Sequence, residues 1–305
     1  MQINLKRFTT QVEKFIQTPS SLPKIIIIYG PTASGKTRLS IELAKYLSTE
    51  IISADSRQIF RYMDIGTGKV TPDEMQGIRH HMIDILNPDE SYSVGAYQKD
   101  VLPIIETLHD LGKVPILCGG TGLYLDAIAF HFDIPPMEPD WEYRSRMDSI
   151  RLEQGNEYLW NMLFDRDPHY AKTIHPNSHH AVIRGLEVLD KTGMSKSELR
   201  QKNAPLFDTL FLTPYDGDRE KLYNIINARV EEMFALGLVD EVKNILSQWY
   251  EPTCKWLSTI GYKEVISFLY KKCTLLECMA QIQQGNRNYA KRQLTWFRKY
   301  EIWKY

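Results

Sequence analysis

The chain has 305 residues, 43% of them hydrophobic and 25% charged, with a formal net charge of −1. That is about two domains of ordinary globular composition, long enough to bury a core without disulfides or a structural metal. Its longest purely aliphatic run, Ile25–Ile28, falls far short of the roughly 20 residues of a membrane span, which argues against an integral membrane protein. Residues 1–22 hold Lys6, Arg7, Glu13 and Lys14 with no unbroken apolar run, so no signal peptide is expected. Cys118, Cys254, Cys273 and Cys278 form no CxxC pair and read as reduced thiols of a cytoplasmic enzyme.

In chain order, a polar lead-in closes at Pro23, and Lys24–Tyr29 reads as a fully buried strand ended by Gly30. Thr37–Leu47 has apolar residues at helical spacing, and Glu50–Ser53 is a second short strand. His81–Leu86 and Val114–Cys118 are further strand candidates, with Val94–Leu111 a helix between them and Gly119-Gly120-Thr121-Gly122 a turn after them. Such alternation predicts an α/β fold, a parallel sheet flanked by helices with its site at the strands' carboxyl ends. The pattern changes at Phe132–Asp140, where Pro135, Pro136 and Pro139 make a stiff connector. Helical periodicity then covers Trp141–Gln154, Glu157–Asp165, Pro168–Thr173 and His179–Thr192, a small all-helical insertion. After a polar break at Asn203–Pro205, Leu206–Leu212 reads as a returning strand. Helices are expected over Arg219–Leu236, Leu238–Tyr250, Tyr262–Tyr270 and Leu275–Trp296. The expected organisation is a core over residues 1–138, the helical insertion over 139–204, and completion of the core over 205–305.

Gly30-Pro31-Thr32-Ala33-Ser34-Gly35-Lys36-Thr37 is a complete phosphate-binding loop, GxxxxGK[ST], set between a buried strand and a helix. Gly30 and Gly35 let the backbone close around an anion, and the helix N-terminus adds its partial positive charge. Lys36 supplies a mobile cation, and the Thr37 hydroxyl is a candidate ligand for Mg2+. The loop announces a di- or triphosphate without naming it. The second strand ends in Ser53-Ala54-Asp55-Ser56-Arg57-Gln58, which places Asp55 on the same rim as a magnesium ligand, a general base or a turn cap. The glycine turn with Thr121 is a third candidate on that rim, where glycines permit close approach to a ligand. His169, His175, His179 and His180 match no zinc spacing and read as surface or packing residues.

Charge is unevenly spread. Residues 286–305 carry six basic side chains (Arg287, Lys291, Arg292, Arg298, Lys299, Lys304) against Glu301, so the other 285 residues sum to −6. The same segment holds Tyr289, Trp296, Phe297, Tyr300, Trp303 and Tyr305. It is either a polyanion-facing surface or a helix with an aromatic core side and a solvated basic side.

In order, GPTASGKT (30–37), ADSRQIF (54–60), MDIGTGK (63–69), GGTGLY (119–124), IHPN (174–177), RGLEV (184–188), IGYKE (260–264) and AKRQLTWFR (290–298) resemble the motifs of tRNA dimethylallyltransferases. The resemblance spans about residues 24–300. It implies transfer of a dimethylallyl group from dimethylallyl diphosphate to N6 of the adenosine 3′-adjacent to the anticodon, with Thr32–Thr37 holding the donor's diphosphate. It implies Asp55 as general base, Thr121 as the group meeting the acceptor adenine, and Arg229 as a diphosphate ligand. It implies tRNA contacts at Ser56, Arg57, Gln58, Arg144, His180, Arg184, Ser258, Gly261 and Lys263, with Mg2+ as cofactor, the anticodon arm of tRNA as partner, and a monomer. Arg57, Phe60 and Ala181 depart from the family's pattern, which bears on fine tRNA contacts. Three alternatives remain: a small-molecule kinase using the loop for ATP, a prenyltransferase acting on free adenine nucleotides, and a non-enzymatic RNA-binding module. A complete diphosphate loop beside Asp55 argues against the last.

Overall fold

Four consecutive isoleucines set the centre of the fold. The computed structural model describes residues 4–131, 139–199, 204–248, 250–252, 254 and 256–303. In it, β1 (Lys24–Tyr29) has Ile25, Ile26, Ile27 and Ile28 all at 0% exposure, buried on both faces. Each such side chain contributes about 1.5–3 kcal/mol of transfer free energy. With β2 (Ile51–Ser53), β3 (His80–His81), β4 (Ile116–Gly119) and β5 (Asp208–Leu212) it forms a wholly parallel sheet of order β3-β2-β4-β1-β5. Ile26 lies in register with Ile116 on one side and Leu210 on the other. β1 leads on to β2 and its neighbour β4 leads on to β5, so the connections leaving these adjacent strands run in opposite directions across the sheet and a crevice opens at their carboxyl ends.

The chain divides into two compact units, Met1–Ala129 with Leu206–Tyr305, and Phe130–Pro205. In the first, the expected polar lead-in is instead a helix, α1 (Leu5–Gln17), capped by the Asn4 side chain accepting from Arg7 N and burying Phe8, Val12 and Phe15. α2 (Lys36–Leu47) follows the phosphate loop, α3 (Pro72–Met75) is one turn with a capping box, and α4 (Val94–Asp110) leads to β4. The glycine turn is shorter than expected: Gly119 ends β4 and Gly122 already begins α5 (Gly122–Ala129). The strand expected over His81–Leu86 is also corrected. Only His80 and His81 pair with β2, because Met82 (φ 64°) and Asp84 (φ 55°) turn left-handed, and Leu86 rejoins as an isolated bridge to Phe60.

The second unit is all-helical: α6 (Trp141–Gln154), α7 (Asn156–Phe164), α8 (Pro168–Ala171), α9 (His179–Thr192) and α10 (Lys196–Leu199). Its core packs Leu159, Leu163, Val182 and Leu186. Two carboxylates of this unit, Asp167 and Glu187, are buried. Glu187, at 0% exposure, accepts from Arg144 Nη2 at 2.8 Å, Arg184 Nη1 at 2.7 Å and the Asp140 amide at 2.7 Å.

Returning to the first unit, α11 (Arg219–Ala235), α12 (Leu238–Ser247), α13 (Tyr262–Leu269) and α14 (Leu275–Phe297) complete it. They share a core of Val230, Leu238, Val242, Tyr262 and Ile282 with Ile59 and Phe60 from the segment after β2. Residues 132–138 of the proline connector, Asn203, Trp249, Lys304 and Tyr305 lie outside the described residues. Among the described residues, no helix is long and apolar enough to cross a membrane.

Candidate active site

The phosphate loop leaves β1 at Tyr29 and turns into α2 at Gly35, whose left-handed φ of 88° suits glycine and whose lack of a side chain leaves the helix without a side-chain cap. The first-turn amides of α2 are thereby directed to a ligand, the arrangement that binds anions at helix N-termini. Lys36 folds back to donate from Nζ to the Pro31 carbonyl at 2.8 Å. Burial lowers the Lys36 ammonium to about 8; the Cys118 and Asp55 charges oppose that shift and Arg229 adds to it. Ser34 Oγ is buried without a hydrogen-bond partner among the described residues, and Thr37 is exposed in the first turn.

The opposite wall comes from the ends of β2 and β4. Asp55 Oδ1 accepts from the Arg57 amide at 2.9 Å, a local turn that fixes the carboxylate at the strand end. Thr121 Oγ1 accepts from the Ser56 amide at 2.9 Å and donates to Ser56 Oγ at 3.2 Å, while the Thr121 amide donates to the Ala54 carbonyl at 3.0 Å. The Arg57 guanidinium lies 4.9 Å from the centre of the Trp256 ring. Gln58 does not point outward: its Nε2 donates to the Gly68 carbonyl at 3.2 Å.

Helices α11 and α14 close over both walls. Arg229 Nη2 donates to the Gly68 carbonyl at 3.1 Å and Nη1 to Thr32 Oγ1 at 3.4 Å. Burial lowers its pKa, with Asp55 chief among the charges opposing that shift. From α14, Gln293 Oε1 accepts from the Thr32 amide at 2.8 Å while Nε2 donates to the Gly120 carbonyl at 3.0 Å, so one buried amide ties the phosphate loop to the glycine turn. Tyr289 faces Asp55, Arg57 and Thr121, and burial, reinforced by the Asp55 charge, pushes its phenol up to about 12. The walls enclose a cavity of about 1250 Å³, lined by Thr32–Thr37, Asp55–Gln58, Thr121, Arg229, Ser258 and Lys263 among others. Gly30 and Pro31 lead into it, and Gly261 (φ 98°) caps α13 just beyond Ser258.

The three rim segments expected from the sequence thus meet in one space. Arg144, His180 and Arg184 belong to the helical unit, where both arginines are committed to Glu187 and His180 is exposed beside His179. The contribution of α14 is larger than expected. Tyr289, Arg292, Gln293 and Trp296 all line the cavity, and their 0, 3, 4, 7 spacing puts them on one helical face. That spacing is visible in the sequence once the segment is divided by face and not counted as a block of charge. The rest of the basic segment is split as well. Phe297 and Tyr300 are core, Lys299 pairs with Asp126, and Arg287 donates to Asn227 Oδ1 at 2.5 Å.

The family model described as IPP transferase matches residues 58–300. The chain belongs to the IPP transferase family. That membership sets the small-molecule kinase reading aside. The matched span begins at Gln58, so the phosphate loop and Asp55 lie just upstream of it. Among curated relatives, the chain is 42% identical over 286 residues to the tRNA dimethylallyltransferase of Caldanaerobacter subterraneus subsp. tengcongensis, covering 92% of this chain and 91% of that protein. It is 46% identical over 279 residues to the tRNA dimethylallyltransferase of Alkaliphilus oremlandii, covering 91% and 89%. Among solved structures, it is similar to a full-length tRNA isopentenylpyrophosphate transferase from Bacillus halodurans, with 41% identity, a TM-score of 0.64, and 90% of this chain and 86% of that one covered. A eukaryotic dimethylallyltransferase acting on tRNA matches with 31% identity and a TM-score of 0.76, over 90% of this chain and 70% of its own.

Proposed function

We propose that this chain transfers the dimethylallyl group of dimethylallyl diphosphate to N6 of the tRNA adenosine 3′-adjacent to the anticodon, releasing diphosphate. The observation that carries the reading is a carboxylate and a diphosphate-type anion site facing one cavity, in a chain whose relatives are named for this reaction. N6 forms a bond to C1 of the allyl group as the C1–O bond breaks, and the electron pair of that bond leaves with the diphosphate. Asp55 accepts the N6 proton, a contribution worth roughly 10²–10⁴-fold for an amine this weakly nucleophilic. Lys36, Arg229 and the first-turn amides of α2 meet the charge that grows on the leaving diphosphate. Thr121, held by Ser56, meets the adenine.

Among the described residues, no cluster of three or more His, Cys, Asp or Glu could hold a metal. The Thr37 hydroxyl lines the cavity, and a hard oxygen of that kind, completed by phosphate oxygens and water, suits Mg2+. Bound there, Mg2+ would neutralise charge on the diphosphate oxygens. Ser56, Arg57, Gln58, Ser258, Gly261 and Lys263 on the α/β unit, and Arg144, His180 and Arg184 on the helical one, are the proposed tRNA contacts. The target base leaves its stack at a cost of a few kcal/mol, which stacking on protein groups offsets. We further propose that the enzyme works as a cytoplasmic monomer, a compartment in keeping with its four free cysteines. The test is to incubate the purified protein with radiolabelled dimethylallyl diphosphate and unmodified tRNA, with free AMP and ATP as controls. Label on tRNA alone is expected; label on AMP, or ATP consumption without label transfer, would contradict the reading.

A further inference from the structure

Outside the cavity lining, one carboxylate has an unusual set of partners. Glu241, on α12, accepts at Oε2 from the amides of Asp64 at 3.0 Å and Ile65 at 2.7 Å. At Oε1 it accepts from the Gly66 amide at 3.1 Å and the Tyr262 hydroxyl at 2.7 Å. Three successive backbone N–H groups converging on one anion are the geometry by which loops bind phosphate, here filled by the protein's own side chain. Such charge-assisted bonds are about twice as strong as neutral ones. The loop they hold runs directly to the cavity. Its Gly68 carbonyl is the shared acceptor of Arg229 Nη2 and Gln58 Nε2.

Space is fixed as tightly as hydrogen bonding. A Cβ at Gly66 would lie 2.5 Å from Tyr262 Cε2, and one at Gly68 would lie 1.7 Å from Arg229 Nη2. The other end of the loop is pinned by buried Lys69, whose Nζ donates to the Phe60 carbonyl at 2.8 Å and to Asp64 and Asp84 at 2.5 Å each. The segment 64–69 is therefore held at both ends, and its position sets where the Arg229 guanidinium stands relative to Thr32.

We propose that Glu241 is a positioning residue for the donor's diphosphate. By clamping the amides of residues 64–66 it fixes the Gly68 carbonyl, which orients Arg229 toward the phosphate loop before the anion arrives. Fixing a long side chain in advance lowers the entropy lost on binding. The inference rests on the proposed function in assigning the anion site to a diphosphate, and it concerns binding rather than transfer.

The experiment is calorimetric titration of the full chain with inorganic diphosphate in the presence of Mg2+. Glu241→Gln, which keeps the shape and removes the charge, is expected to weaken diphosphate binding about five- to tenfold and to raise the KM for dimethylallyl diphosphate similarly, with a smaller fall in kcat. Tyr262→Phe, which removes one of the four hydrogen bonds, should give a two- to threefold effect in the same direction. Ile245→Ala, in the core one turn along the same helix, serves as the control for stability alone. It should lower Tm without changing diphosphate affinity. If Glu241→Gln binds diphosphate as the wild type does, or if Ile245→Ala weakens binding equally, the positioning role is wrong. Wild-type protein that binds diphosphate but modifies no tRNA would sink the proposed function and leave the affinity ratio of the variants as a valid test of Glu241.

Discussion

The cavity and the helical unit both contain arginines or lysines away from bulk water, but their partners differ. In the helical unit, Arg144 and Arg184 converge on the fully buried Glu187, so one of their two charges is balanced within the fold. In the cavity, Lys36 donates to a carbonyl, and Arg229 to a carbonyl and a hydroxyl, all neutral acceptors. Burial disfavours the charged forms of Lys36 and Arg229, an electrostatic cost that a bound anion would remove. Cations held by neutral oxygens mark a place built for an incoming anion, whereas cations on a buried carboxylate are already fixed in place by the fold.

Substitutions in the two regions should therefore fail in different ways. Among the substitutions that separate the two regions, the largest effect is expected from Lys36→Ala, which should lower kcat/KM for the donor roughly 10²–10³-fold, because the diphosphate carries its greatest charge as it departs. Tm should change little. An unaltered kcat/KM would remove Lys36 from the transition state. Glu187→Ala should do the reverse. Stranding two guanidiniums costs about 3 kcal/mol, the low end for a broken buried ion pair because both arginines retain partial exposure, at 26% and 27%. Chemical denaturation reads this directly, while donor KM stays within twofold.

A pH titration probes the cavity's cation directly. Lys36 is protonated below about 8 and neutral above it, so burial has moved its titration down into an accessible range. An anion binds the protonated form more tightly, so affinity is full below that point and lost as pH rises through it, by up to tenfold per pH unit. Diphosphate affinity measured from pH 7 to 10 should bend near 8 in the wild type and lose that bend in Lys36→Ala. The smallest effect is expected for Gln293→Ala, which frees the Thr32 amide and the Gly120 carbonyl. Losing those two bonds should raise donor KM roughly three- to tenfold and cost about 1–2 kcal/mol of stability. A variant altered in stability alone would make Gln293 a packing residue.

Much of this contrast is legible in the sequence, and unevenly so. The phosphate loop, Asp55 and the Thr121 turn could be placed on one rim because strand ends follow from short-range pattern: a β-branched run, then glycine or aspartate. The bounds of α6 and α9 also follow, from clear helical periodicity. α1 was hidden by its many polar residues, although Leu5, Phe8, Val12 and Phe15 recur at helical spacing behind a capping Asn4. The apolar alternation of residues 82–86 resembles a strand, yet left-handed turns at Met82 and Asp84 end the pairing. Gln293 stands within the AKRQLTWFR motif with nothing to mark its role, and Glu241 stands in none of the motifs. Each acts on backbone groups more than 170 positions away, and no local pattern announces such a partner.

The central claim is that one cavity holds the donor's diphosphate on one wall and a proton-accepting carboxylate on the other. Single-turnover transfer by Asp55→Asn, with labelled dimethylallyl diphosphate and saturating unmodified tRNA, tests it most directly. The transfer step should slow roughly 10²–10⁴-fold while the affinities for tRNA and donor stay within a few-fold, as expected when a general base is lost and binding is not. Transfer at the wild-type rate, or a loss confined to substrate binding, would contradict it.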